Sequence, residues 1–416
     1  MENTVLVLGG GVAGLTAARE LSRQRRVKVV EARPRLGGRI QTVRCGNSIP
    51  LELGAEFVHG RAPELQRLIK ASGLTTHRVP DRHWKFRQGK LTELPDFWEQ
   101  LSAVTDEIGC NEESTFQSFL ESLRKPKEQE KLAKDFVEGF HAAPIQEASM
   151  QGIRESEETA EEIGGQENLR IRLGYGSLVA YLENECRSAG VEFYPGTEVT
   201  SIDWRKRPVR VGVRKNGTFS EISGYQVIVA LPLAVLQRNI KLQPLPAGRM
   251  DAVHALRMGA VTKIVLQFAA RFWPVPNFGF VHADDPWFQT WWADERGDVL
   301  TGWAGGPKGE RLAAQDSKFI EHRALESLSK IFGEKLPRIR EVLLSSHTHN
   351  WSTDRFSMGA YSFIPAGALD APKELARPEA GAIFFAGEAT DLEYQLGTVH
   401  GAVASGFRAA REALQH

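Results

Sequence analysis

The chain has 416 residues, with 52 basic and 52 acidic side chains and a formal charge of zero, a balance that argues against nucleic acid or an anionic membrane as main partner. Hydrophobic residues make up 42% and charged residues 25%, a globular and not a disordered mix, and at roughly 150 residues per domain the length predicts two or three domains. Cys45, Cys110 and Cys186 are odd in number, far apart and form no CxxC, so neither a disulfide framework nor a structural zinc is expected, and a reducing compartment fits.

The first residues lack a charged n-region and cleavage site and read as a buried strand, Val5–Leu8. No apolar run approaches the roughly 18–20 residues of a membrane span, and the ending EALQH carries no lipidation box. The expectation is a soluble, cytoplasmic protein. A glycine turn, Gly9 to Gly14, follows the strand. Helical spacing then runs from Val12 to Arg23, with Ala13, Ala17, Ala18 and Leu21 on one face, and a second strand is predicted over Val27–Glu31. Residues 76–174 are rich in Glu, Lys, Gln and Leu and are predicted mostly helical, and 169–189 as a loop and helix. Short strands are predicted over 191–194, 198–203, 209–214 and 227–230. Antiparallel sheet is predicted over 263–303, where aromatics and alternation abound. Residues 313–332 read as one helix, 382–386 as a buried strand and 400–414 as a terminal helix. Nucleotide-fold strands thus occur at both ends and in the middle. The fold class predicted is α/β, with a Rossmann-like domain (1–75, 175–240 and 355–416) interleaved with a substrate domain of mixed sheet plus helices (76–174 and 241–354).

Gly9, Gly11 and Gly14 form G-x-G-x-x-G between a strand and a helix. The first glycine allows the turn, the second lets backbone approach a pyrophosphate, and the third lets helix and strand pack closely. The helix start offers free N–H groups and a positive dipole end. Glu31 stands seventeen residues after Gly14, where a carboxylate meets ribose hydroxyls. That acid disfavours a 2′-phosphate, leaving FAD or NAD. Arg39, after Gly37 and Gly38, adds a fixed charge for a pyrophosphate or, alternatively, a surface ion pair.

EARPRLGGR, together with the glycine turn, resembles the FAD-binding segment of the flavin-containing amine oxidases. These include monoamine and polyamine oxidases, lysine-specific histone demethylases and L-amino-acid oxidases. The resemblance continues in LELGAEFVHG (51–60), GYQVIVALPLAVL (224–236), GAVTKIVLQFAARFW (259–273) and FAGEATDLEYQLGTVHGAVASGFRAA (385–410), and is weakest over 76–174. It implies non-covalent FAD, because Ala360 stands where monoamine oxidases carry the flavin-linking cysteine. Gly9, Gly11, Val12, Ala13 and Gly14 would form the phosphate turn. Glu31, Ala32, Arg33, Gly38 and Arg39 would hold adenosine and pyrophosphate, with Val199 at the adenine end. Ala55 and Glu56 would run along the isoalloxazine. Gly387 and Glu388 would meet the ribityl or phosphate region, and Thr398 and Val399 the pyrimidine edge.

The same resemblance assigns the chemistry. Lys263 sits in an apolar strand and reads by itself as an outward-facing lysine. The family match makes it an inward amine holding a water near flavin N5, with desolvation lowering its pKa. Tyr361, in GAYSF, would be one wall of an aromatic cage for the amine, and alone reads as a core aromatic. Thr398 replaces the second cage tyrosine of monoamine oxidases. His59 would contact substrate as in polyamine oxidases, or serve as a structural histidine. Glu56 would attract a cation or bond the cofactor. The five glutamates from Glu155 to Glu162 read as a solvated helix face, or as a rim that steers polycations. His347 and His349 share a strand face without a third ligand, so no metal is expected.

The function implied is oxidation of a primary or secondary amine, polyamine-type favoured, by hydride transfer to the flavin. The imine would give an aldehyde, and O2 would become H2O2. The partners implied are a small-molecule amine and O2, in a monomer or homodimer. A monoamine oxidase, an L-amino-acid oxidase, a biosynthetic desaturase and a non-catalytic FAD-binding scaffold stand as alternatives.

Overall fold

A computed structural model describes residues 4–44, 49–109, 113–238, 240–244, 248–275, 278–294 and 296–416. Cys45 and Cys110 lie outside the described residues. Five parallel strands stand in the order Glu192–Tyr194, Arg26–Val30, Thr4–Leu8, Gln226–Val229, Ile383–Phe385. Their near-continuous apolar runs fit a sheet covered on both faces. Val5 and Val7 point to one core with Leu15, Leu178, Val403 and Phe407, from the helices Val12–Leu21, Tyr175–Ser188 and Val399–Leu414. Leu6 and Leu8 point to the other, against Val211 and Val213 of a four-stranded sheet built on Thr197–Asp203 and Val209–Lys215. This α/β architecture is the predicted one.

A seven-stranded sheet has the order Leu343–Thr348, Val261–Phe268, Val299–Gly305, Thr290–Asp294, Phe280–Ala283, His83–Arg87, Lys90–Glu93. It is antiparallel except between Phe280–Ala283 and His83–Arg87.

Three expectations are corrected. The region 76–174 is not mostly helical from its start, because Thr76–Arg78, His83–Arg87 and Lys90–Glu93 are strands. Its hairpin turns at Gln88 and Gly89, both at positive φ (50° and 75°), the conformation of a tight two-residue turn. Next, the loop expected after 169 opens instead with the strand Asn168–Ile171, held between Val58–His59 and Thr76–Arg78. Finally, the helix expected from 313 starts at Ser317 and runs to Phe332, while Ala313 ends a separate helix, Gly306–Ala313. Asp316 starts the helix Ser317–Phe332 by accepting a hydrogen bond from the Phe319 amide at 2.8 Å. Among the described residues no helix is long and apolar enough to cross a membrane.

Candidate active site

The strand ends of the parallel sheet open on one cavity of about 440 Å³, which runs on to the seven-stranded sheet. At the nucleotide end, Gly9 adopts φ +108°, and a Cβ there would lie 2.5 Å from the Ala230 carbonyl oxygen. Gly14 is in the first turn of its helix, where a Cβ would lie 2.0 Å from the Gly9 oxygen. A Cβ on Gly11 would instead meet open space, leaving room for a ligand against the backbone. No side chain caps this helix start. Glu31 is buried and accepts from the Gly10 and Arg33 amides (2.8 and 2.7 Å), with no basic side chain paired to it among the described residues. An anion-seeking helix start, an open backbone cradle and a buried carboxylate with spare acceptor capacity and no paired cation fit a dinucleotide. Gly14→Ala should therefore yield protein without bound nucleotide. Full cofactor content after purification, read from the visible absorbance, would refute this packing.

Arg39 ties the two halves of the nucleotide end together. It pairs with buried Glu388 at 2.8 Å and donates to the Ala360 carbonyl at 2.9 Å. Glu388 also accepts from the Ser362 hydroxyl (2.6 Å) and the Gly397 amide (3.0 Å). Burial alone would raise its pKa, but Arg39 and these bonds hold it below the ordinary carboxylate range. Arg33 is spent on Asp354 (2.6 Å) and Ser357 (2.9 Å). Arg35, which sequence reasoning missed, donates to the carbonyls of Leu36, Gly38 and Ile40 and so shapes the Gly37–Gly38 turn. Ala32, Gly38, Val199 and Gly387 line the same end, and Val12, Ala13 and Ala55 line the cavity with them.

At the other end Lys263 is 2% exposed, which rules out the outward-facing lysine. Neither is it a solitary desolvated amine. Its Nζ lies 2.6 Å from Glu56 Oε2 and 3.2 Å from the Gly54 carbonyl oxygen. Glu56 also accepts from Arg170 Nε at 2.8 Å and Trp292 Nε1 at 3.0 Å. Burial pushes the Glu56 pKa up, and Lys263 and Arg170 more than offset it, so the carboxylate stays ionised. Its charge is fully engaged by chain cations, so the role of attracting a cationic substrate falls away. Arg170 was missed by sequence reasoning. Its only signal is an arginine inside NLRI, a strand too short for propensity to reveal.

Tyr361 lines the cavity from the strand Tyr361–Phe363, and its hydroxyl donates to the Phe140 carbonyl at 2.5 Å. Thr398 is the N-cap of the helix Val399–Leu414. Its Oγ1 accepts from the Gly401 amide (3.0 Å) and donates to the Gln395 carbonyl (2.7 Å), so the hydroxyl is committed to the backbone and not offered to a substrate. The first turn holds no acidic side chain, and Thr398, Val399 and His400 face the cavity. His59 lies beside Phe140 (ring centroids 5.7 Å) and His400 (6.4 Å). Burial lowers the His59 pKa to about 4, an Asn168 bond opposing it only in part, and lowers that of His400 to about 3. Both imidazoles are neutral at neutral pH.

Of the five glutamates from Glu155 to Glu162, Glu157 lines the cavity and meets His141 at 3.1 Å, while Glu158 pairs with Arg154 at 2.7 Å. Glu161 and Glu162 are exposed. His349 lies past the strand that carries His347 and bonds Asp354 at 2.9 Å.

The family model described as flavin-containing amine oxidoreductase matches residues 12–414. Polyamine oxidase 2 of Arabidopsis thaliana is 27% identical over 98% of this chain and 87% of its own length. Polyamine oxidase 3 of Oryza sativa is 28% identical over 98% and 88%. The solved structure of cyclohexylamine oxidase from Brevibacterium oxydans superposes with a TM-score of 0.84 at 20% identity, covering 100% of this chain and 99% of that one.

Proposed function

Because the chain belongs to the flavin-containing amine oxidoreductase family, we propose that it oxidises the C–N bond of a primary or secondary amine with non-covalent FAD and O2. The observation that carries this is one cavity joining the dinucleotide cradle to Lys263, Tyr361 and His59. An FAD held by the glycine turn, Glu31 and the Arg39–Glu388 pair would supply the redox chemistry, acceptance of a hydride equivalent from the carbon next to nitrogen to leave an imine, with O2 as the terminal acceptor reduced to H2O2.

The chain's residues do the rest. Phe57, Trp303 and Tyr361 wall off water from the reacting end. Neutral His59 and His400 add no positive charge to repel the amine. Lys263, clamped between Glu56 and the Gly54 carbonyl, presents a fixed donor at the cavity floor. Non-covalent attachment is supported by Ala360, which offers no nucleophile. It is supported also by Cys186, whose buried thiol is pushed up to about 12 and is aimed at the Leu15 carbonyl.

Amines are favoured over amino acids by the cavity's arginines. Arg33, Arg39, Arg87 and Arg355 are paired with Asp354, Glu388, Glu128 and Glu198, so no guanidinium is left for a substrate carboxylate among them. Within amines, a polyamine is supported by the names of the curated relatives. A monoamine is supported by the pairing of the cavity's carboxylates. Lys263→Met should leave amine-driven flavin reduction measurable and slow reoxidation by O2 at least ~10-fold, the scale of one positioned group. Unchanged rates in both half-reactions would remove Lys263 from the mechanism.

A further inference from the structure

His400 is the second residue of the helix Val399–Leu414 and is 6% exposed. Its neighbours place it at the Tyr361 end of the cavity. The Tyr361 ring packs on the turn just before this helix, where a Cβ on Gly397 would lie 2.6 Å from it. The Tyr361 hydroxyl bonds the Phe140 carbonyl, and His59 stands between Phe140 and His400, its ring centroid 5.7 and 6.4 Å from theirs. All four rings line the cavity.

The chain fixes which nitrogen of His400 carries the proton. Buried Gln395 is held by its main chain, its N–H donating to Asp391 at 3.0 Å and its carbonyl accepting from Thr398 Oγ1 at 2.7 Å. Its Nε2 donates to the Ser156 carbonyl at 2.9 Å, an oxygen that accepts and cannot donate. That orientation turns Gln395 Oε1 towards His400 Nε2, 2.9 Å away. An amide oxygen cannot donate either, so His400 Nε2 carries the hydrogen. A further proton on Nδ1 is opposed by burial and then by His59, and the helix start adds its positive end. Nδ1 is therefore a lone-pair acceptor. It makes no hydrogen bond among the described residues and is open to the cavity.

An acceptor without a partner in so enclosed a place calls for a donor from the ligand. As free bases, primary and secondary amines carry one, their N–H, and tertiary amines do not. We propose that His400 Nδ1 accepts the N–H of the reacting amine and orients it, so that the enzyme takes amines that keep an N–H as the free base and discriminates against tertiary ones. This rests on the amine-oxidation reading above and adds His400 to its machinery. No proton or electron moves in the contact. It sets the angle at which the C–H next to nitrogen is presented, a positioning effect.

The test reads the limiting rate of anaerobic flavin reduction in wild type, His400→Asn and His400→Gln, each flavin-loaded. The amines are N-methylbenzylamine, N,N-dimethylbenzylamine, the corresponding N-methyl and N,N-dimethyl hexylamines, and spermine. Asparagine puts an acceptor, Oδ1, near the place of Nδ1 and gives up the bond to Gln395. Glutamine puts a donor, Nε2, near the place of the histidine Nε2, which keeps that bond and gives up the cavity acceptor. In wild type each secondary amine should reduce the flavin at least ~10-fold faster than its tertiary partner, the scale of one lost positioning hydrogen bond. His400→Asn should keep that preference. His400→Gln should lose it, and should be at least ~10-fold slower than His400→Asn with every amine that keeps an N–H, spermine included. Tertiary amines as fast as secondary ones in wild type overturn the proposal, and that arm needs no variant to fold. A preference that survives in His400→Gln also overturns it, since exclusion by bulk does not depend on the acceptor. So does His400→Gln as fast as His400→Asn or faster, the order expected if His400 serves to anchor Gln395. All three outcomes leave amine oxidation standing. A wild-type flavin that stays oxidised with all five amines overturns the amine-oxidation reading, and the proposal with it.

Discussion

Glu56→Leu should destabilise the folded protein by about 3–5 kcal/mol, the scale of breaking a buried ion pair. The reason lies in the geometry. Lys263 and Arg170, each 2% exposed, converge on this carboxylate. Removing it leaves two cations facing one another in a dry region, with Trp292 Nε1 losing its acceptor as well. Lys263→Met should be milder, because Glu56 then keeps Arg170 in a one-to-one pair, and Arg170 also donates to the Ala293 carbonyl at 3.2 Å. Glu56→Gln should fall between the two. Denaturant or thermal unfolding of the three variants with flavin bound checks the order. Lys263→Met as unstable as Glu56→Leu would show that the lysine, and not the carboxylate, organises this cluster.

Glu52→Gln should stabilise the protein at pH 8 by about 3 kcal/mol and leave it nearly unchanged at pH 5. Glu52 is buried, accepting from the Thr42 hydroxyl and the Tyr175 amide, each at 2.7 Å. Burial pushes its pKa from 4.5 up to about 7, against the pull of those two bonds and of Lys263. A carboxyl whose folded pKa is raised contributes stability that is complete below about pH 4.5 and is lost as pH rises to about 7. Glutamine can still accept from the Tyr175 amide through its oxygen and can donate its amide N–H to Thr42 Oγ1, reversing that bond, with no charge to desolvate. His400, which is buried, and the half-buried His59 and His282 have pKa values lowered by desolvation and lose stability in the opposite sense, as pH falls below about 6.5. They are common to both proteins and cancel in the difference. A gain of equal size at both pH values would contradict a titrating Glu52.

The parallel sheet was readable because its signals are local. A glycine turn follows one strand, an acid follows the next, and the strands are short runs of three to five residues, mostly apolar at the centre of the sheet. The Lys263 strand was readable from its apolar neighbours, but not the lysine's state. Its partner Glu56 is 207 residues away in sequence, and no spacing rule joins them. Arg170 was invisible for the same reason, since it reaches Glu56 from a strand that exists only through pairing with two others. Thr398 shows the converse. The family pattern marked the position, while the capping bonds that use its hydroxyl follow from the helix start beside it. The strands within 76–93 were hidden by a polar composition that suits helices as well, and the Gln88–Gly89 turn was the overlooked cue.

Anaerobic mixing of the purified, flavin-loaded protein with spermine, benzylamine, n-hexylamine and a set of L-amino acids, while following the visible flavin absorbance, tests this account most directly. The expected result is bleaching by an amine and none by the amino acids, with the colour restored by O2 and H2O2 formed. Flavin that stays oxidised with every amine would contradict it, whatever the likeness of the fold. Bleaching by amino acids alone would place the substrate carboxylate where all four cavity arginines named above are already paired.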